Sequence, residues 1–166
     1  DHPRRPRVAK VCDFGLSTYK ENFAKTRSRV GTPLFAAPEV LRSDEYSESA
    51  DVYSFGVCCW EMATGQRPFE DINTVKALHD VAFQGLRPEM NPGEKAACPQ
   101  WLHFLMQRCW VNIPEDRPTF PEILNFILEE MERQEEAVER QRNGGGAQAA
   151  AEGALPTWEG AEVALK

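Results

Sequence analysis

Long hydrophobic runs are missing from this chain. Nowhere in its 166 residues do 18 consecutive apolar residues occur, so the sequence holds no candidate membrane-spanning helix. The opening residues are polar, basic and proline-rich, with none of the apolar stretch that a secretory signal needs. Cytoplasm or nucleus is therefore the expected compartment. Histidine is scarce, with His2, His79 and His103 scattered along the chain. The five cysteines (Cys12, Cys58, Cys59, Cys98 and Cys109) are odd in number and include no Cys-x-x-Cys pair. These gaps exclude a zinc site of recognisable spacing and argue against a disulfide framework. Reduced thiols buried in apolar surroundings are expected instead. No internal repeat is visible.

What is present describes one globular domain and a tail. The hydrophobic fraction of 42% and the charged fraction of 27% are ordinary for a soluble domain with a core. The net charge of −7 conceals an asymmetry: residues 1–33 carry eight Lys or Arg against three Asp or Glu, and the rest is strongly acidic. Overall acidity argues against nucleic acid as a main partner. Lys20, Lys25, Arg27 and Arg29 lie in a hydroxyl-rich stretch, where arginines beside a received phosphate explain the basic charge as well.

Residues 8–12, short and partly β-branched, read as a strand ending at Asp13. Residues 15–36 lack periodicity and hold several hydroxyls, which predicts a long loop. Residues 50–64 are apolar on nearly every side, the pattern of a helix in the middle of a core, with Ser49 as N-cap and Gly65 as its stop. Gly56 inside that helix costs about 1 kcal/mol against Ala, so close packing is expected to require it. Three amphipathic helices follow, over 73–84, 99–110 and from Thr119 onward. The last opens on a capping box of Thr119 and Glu122. Beyond Met131 its apolar face thins to Val138, and Glu129–Arg133 and Glu136–Arg140 supply i,i+4 pairs. Residues 143–166 contain three consecutive glycines and alanine runs with few large apolar groups, so a disordered tail is expected.

Asp13-Phe14-Gly15 closes the expected strand. Gly31-Thr32-Pro33 lies late in the loop, Ala37-Pro38-Glu39 follows it, Asp51 opens the apolar helix, and Pro114-Glu115-Asp116-Arg117-Pro118 comes late. In this order and spacing the chain resembles the C-terminal lobe of a eukaryotic protein kinase over residues 1–130. The run 49–57, with Trp60-Glu61 and Arg67-Pro68-Phe69, looks most like the tyrosine-kinase-like group, which is largely serine/threonine-specific. The resemblance implies a mainly α fold: a helical bundle with one or two short N-terminal strands over 1–130, a charged helix extension over 131–142, and the tail.

It also implies roles. Asp13 would chelate the Mg²⁺ that bridges the ATP phosphates, with Gly15 allowing the sharp turn and Phe14 packing inward. Cys12 would approach the nucleotide pocket as a packing residue. The Thr32 hydroxyl would bond near the catalytic base, and Phe35 would line the substrate pocket. Glu39 and Arg117 would form a buried pair, and Asp51 would anchor the catalytic loop. Gly-Thr-Pro at this place is typical of serine/threonine kinases. Thr26 or Ser28 would be an activation site for an upstream kinase or a trans-phosphorylating partner, and the substrate would be a protein. Neither a His-Arg-Asp loop nor a Gly-x-Gly-x-x-Gly run occurs in the sequence. The expectation is therefore a piece of a kinase that is inactive by itself. The alternative is a non-catalytic kinase-like scaffold module.

Overall fold

The computed structural model describes residues 8–14, 33–90 and 98–143. Five helices carry the architecture: α1 (Pro38–Arg42), α2 (Ser49–Thr64), α3 (Thr74–Phe83), α4 (Gln100–Cys109) and α5 (Phe120–Asn143). Two 3-10 turns, Pro33–Phe35 and Pro114–Asp116, precede α1 and α5. The mainly helical class expected from the sequence is what forms.

Helix α2 is the centre of this arrangement. Its buried residues Ala50, Val52, Tyr53, Gly56, Val57, Cys59 and Trp60 point in several directions, as an all-round apolar sequence requires. One group packs with Ala77 and Val81 of α3 and with Met106 and Trp110 around α4. A second group, Val52 with Leu105, Cys109, Ile123 and Phe126, joins α2 to α4 and α5. Gly56 makes the close approach possible: a Cβ placed on it would lie 2.7 Å from the Cβ of Cys109. The helix stops at Gly65, whose φ of 68° lets its amide reach back to the Glu61 carbonyl at 2.8 Å.

The caps explain the other boundaries. The Asn73 side chain accepts from the amides of Val75 and Lys76 at the start of α3. At α5 the Glu122 carboxylate accepts from the Thr119 amide at 2.6 Å and from its hydroxyl at 2.7 Å, as the capping box predicts. Those bonds hold the Glu122 carboxyl below its ordinary value. From there α5 runs unbroken to Asn143, with Ile123 and Phe126 inward and Leu124, Leu128, Met131 and Val138 exposed.

Four expectations need correction. Residues 8–13 form no strand, and Val11 is 83% exposed. A strand exists through the ladder to a neighbour, and no partner strand lies among the described residues. Ser49 is the first residue of α2 rather than its cap: the cap position is Glu48, whose side chain makes no capping bond, and the Ser49 amide donates to the Ser47 hydroxyl at 3.3 Å. Arg133 pairs with Glu130 at i,i+3 rather than with Glu129, whereas Arg140 does pair with Glu136. Buried thiols are found at Cys59 and Cys109, while Cys12 and Cys58 are exposed. Cys58 sits on α2, on the side that Asp51 and Met62 also leave to solvent. Gly15, Thr26, Ser28, Thr32 and the tail beyond Asn143 lie outside the described residues.

Candidate functional site

The segment from Pro33 to Glu39 is the natural starting point, because chemistry-bearing residues from the distant ends of the sequence converge there. Pro33–Phe35 is a single 3-10 turn, closed by the Ala36 amide on the Pro33 carbonyl at 3.1 Å. Pro38 then sits in the first turn of α1, where its missing N–H costs nothing. Next to it Glu39 faces inward and is only 3% exposed.

A buried carboxylate needs a partner, and Arg117 supplies it from 78 residues away. Nη1 donates to Oε1 at 2.6 Å and Nη2 to Oε2 at 2.9 Å, a two-pronged pair with both side chains removed from solvent. Two further donors are also used: Nη1 reaches the Ser49 carbonyl at 2.9 Å and Nε the Val111 carbonyl at 3.0 Å. One guanidinium therefore ties α1, the first residue of α2 and the turn before α5.

Tyr53 extends this clasp. Its ring lies 5.2 Å from the Arg117 guanidinium and 5.0 Å from that of Arg87. Arg87 is held in turn by the Trp110 carbonyl at 2.7 Å and its own neighbour's carbonyl at Leu86. The Tyr53 hydroxyl has no hydrogen-bond partner among the described residues. Burial raises its phenol above the ordinary value, against the two guanidinium charges that pull it down. One helical residue further on, the Ser54 hydroxyl donates to the Phe35 carbonyl at 2.9 Å.

The remaining expected site residues are spread out. Asp13 is exposed and has a left-handed backbone, φ 64°, a conformation that Asp tolerates better than most residues. Phe14 is 66% exposed rather than packed inward, and Cys12 is exposed as well. Asp51 stands in the first turn of α2, where its charge favours the helix N-terminus, and desolvation raises its carboxyl above the ordinary value. Among the described residues no group of three or more His, Cys, Asp or Glu side chains converges on a metal-sized site. The structure thus joins Glu39 to Arg117 and the turn at Phe35 to Ser54, and among the described residues no side-chain hydrogen bond or ion pair links Asp13 or Asp51 to them. No helix among the described residues is long and apolar enough to cross a membrane.

Sequence reasoning missed Tyr53, Ser54 and Arg87. Tyr53 reads as one more apolar position of a buried helix. Arg87, between a leucine and a proline after α3, reads as a surface charge. No periodicity marks either one.

Comparison with known proteins agrees with this geometry. A family model described as protein tyrosine and serine/threonine kinase matches residues 4–127, a span that includes both halves of the clasp. The serine/threonine-protein kinase CTR1 of Arabidopsis thaliana is 41% identical over 121 residues, 72% of this chain and 14% of that protein. The probable serine/threonine-protein kinase drkB of Dictyostelium discoideum is 43% identical over 123 residues, 74% of this chain and 17% of its own length. The seven transmembrane domain-containing tyrosine-protein kinase 1 of the same organism is 40% identical over 122 residues, 72% of this chain and 17% of its own. The chain therefore spans less than a fifth of the length of these relatives. A helical lobe centred on α2, an Ala-Pro-Glu glutamate clasped by a distant arginine, and this match over most of the sequence place the chain in the protein tyrosine and serine/threonine kinase family.

Proposed function

We propose that this chain forms the helical lobe of a protein serine/threonine kinase, which moves the γ-phosphate of ATP to Ser or Thr hydroxyls of a protein substrate. The Glu39–Arg117 pair is the observation that carries the reading, because it fixes the end of the substrate-facing segment onto the core. Gly31-Thr32-Pro33 favours Ser/Thr over Tyr as acceptor, as do the names of CTR1 and drkB.

The described residues fit a metal that is shared with a substrate rather than caged by protein. Asp13 offers one exposed, hard oxygen donor, and among the described residues no group of three or more ligating side chains forms a cage. Mg²⁺ is commonly held in that way, by one or two carboxylates plus phosphate oxygens and water. When bound, the ion neutralises charge on the ATP phosphates during transfer. Asp13 would orient it, Thr32 would sit near the acceptor hydroxyl, and the turn at Phe35 would wall the acceptor's pocket. No protein nucleophile is needed for the transfer, and the exposed Cys12 is assigned no part in it.

The 166 residues are not expected to turn over by themselves, because the sequence holds no His-Arg-Asp base and no glycine-rich phosphate loop. Phosphate on Thr26 or Ser28 would lie beside Lys25, Arg27 and Arg29 and order the loop through charge-assisted bonds. The test uses the full-length protein with ATP, Mg²⁺ and dephosphorylated casein, followed by phosphoamino-acid analysis. Phosphoserine or phosphothreonine that disappears with Asp13→Asn is the expected result. Phosphotyrosine alone overturns the acceptor assignment, and casein binding with no transfer favours the scaffold reading.

A further inference from the structure

We infer that Ser54 is a positioning residue for the phosphoacceptor seat, acting through the carbonyl of Phe35. The inference rests on the reading above that the Pro33–Phe35 turn borders that seat.

A serine in mid-helix ordinarily turns its hydroxyl back to the carbonyl four residues earlier. Ser54 has that option, with the Ala50 carbonyl at 3.2 Å. Its shorter contact goes elsewhere, to the Phe35 carbonyl at 2.9 Å and 19 residues away. A hydroxyl has one hydrogen to give, so the shorter bond claims most of it and the back-bond keeps the remainder. The geometry favours a link between elements over a local helix contact.

The position of that link matters. Besides the burial of Ala37 and Pro38, side-chain hydrogen bonds hold the Pro33–Glu39 segment to the core near both its ends. At its far end Glu39 is gripped by Arg117, which also holds the Ser49 carbonyl of α2. At its near end the turn has its own bond from Ala36 to Pro33 and the bond from Ser54. Leu34 and Phe35 are half-buried against the core, so burial contributes to the seating without fixing the direction of the carbonyls. Ser54 supplies that direction. Both attachments use α2, whose own buried faces leave it little room to shift. The near attachment is the weaker one, a neutral hydrogen bond against a charged pair, and it lies three residues from Thr32.

Removing the hydroxyl should loosen the near end alone. In the full-length protein Ser54→Ala is expected to raise KM for dephosphorylated casein about five-fold, against an unchanged KM for ATP. Ser54→Thr retains the hydroxyl and should return KM for casein toward the parent value. A second readout does not depend on activity: amide hydrogen exchange in the peptide covering residues 33–40 should quicken in Ser54→Ala and not in Ser54→Thr. An unchanged exchange rate in Ser54→Ala overturns the inference. So does a loss in which KM for casein, KM for ATP and the melting temperature all worsen together, because that is a packing defect. If the parent protein transfers no phosphate, the kinase reading fails, and the exchange measurement still decides the role of Ser54.

Discussion

At the scale of single residues, Glu39 and Arg117 show how a buried charge is made tolerable. Burying either charge without the other would be costly, and their mutual attraction is needed to offset the loss of water. The guanidinium gives two further hydrogens to the Ser49 and Val111 carbonyls, so its loss would leave three groups unserved. Arg117→Ala is therefore expected to lower the unfolding free energy by roughly 3–5 kcal/mol, read from the urea midpoint. Arg117→Lys should recover only part of that, since an ammonium cannot present the two-pronged fork. A loss below about 1 kcal/mol for Arg117→Ala would mean that the pair is solvated in practice. The same logic explains why this pair was legible in the sequence only through resemblance. Spacing along the chain says nothing about two residues 78 positions apart, whereas Ala-Pro-Glu and the Arg-Pro late in the chain each have a recognised place in the family. Ser54 and Arg87 had no such marker. Their roles depend on carbonyls brought near by tertiary packing, namely those of Phe35 and Trp110.

At the scale of elements, α2 and α4 meet at a point with no spare volume. The cost of Gly56 within a helix is offset by the approach to Cys109 that it permits. Gly56→Ala would gain about 1 kcal/mol in helix propensity and lose more through the collision, typically 1–3 kcal/mol for an overpacked core. A lowered melting temperature is expected. Adding Cys109→Ala should not restore it, because the colliding atom is the Cβ that alanine keeps. Such helices were legible because each is specified locally: an apolar face at helical spacing, Asn73 or Thr119 at the start, Gly65 at the end. The stretch at residues 8–12 carries a strand-like composition but no strand, since a ladder is a property of two segments and composition describes only one. The cap position of α2 falls one residue before Ser49, at Glu48, which offers no capping bond, while the Ser47 and Ser49 side chains on either side bond each other at 2.8 Å.

At the scale of the whole molecule, the described residues leave one side of the helix that organises the core open. Asp51, Cys58 and Met62 are exposed along α2 with Phe55 half-buried among them, while Val11 and Phe14 add apolar surface at the start of the chain. An apolar strip on a central helix drives association when nothing else covers it. The 166 residues on their own are expected to sediment as a concentration-dependent mixture of monomer and larger species. Cys58→Ser together with Met62→Gln should shift that mixture toward monomer. A single monomeric species at all concentrations, melting cooperatively, would show that the strip is too small to matter.

Helix α5 carries one more consequence. Its 24 residues give a length of about 36 Å, and only its first turns, at Ile123 and Phe126, are seated in the core. The remainder projects from the core as a phased rod, which sets both the distance and the compass bearing of Asn143. Deleting a single residue between 132 and 141 would shorten the rod by about 1.5 Å and swing its last turn through roughly 100°.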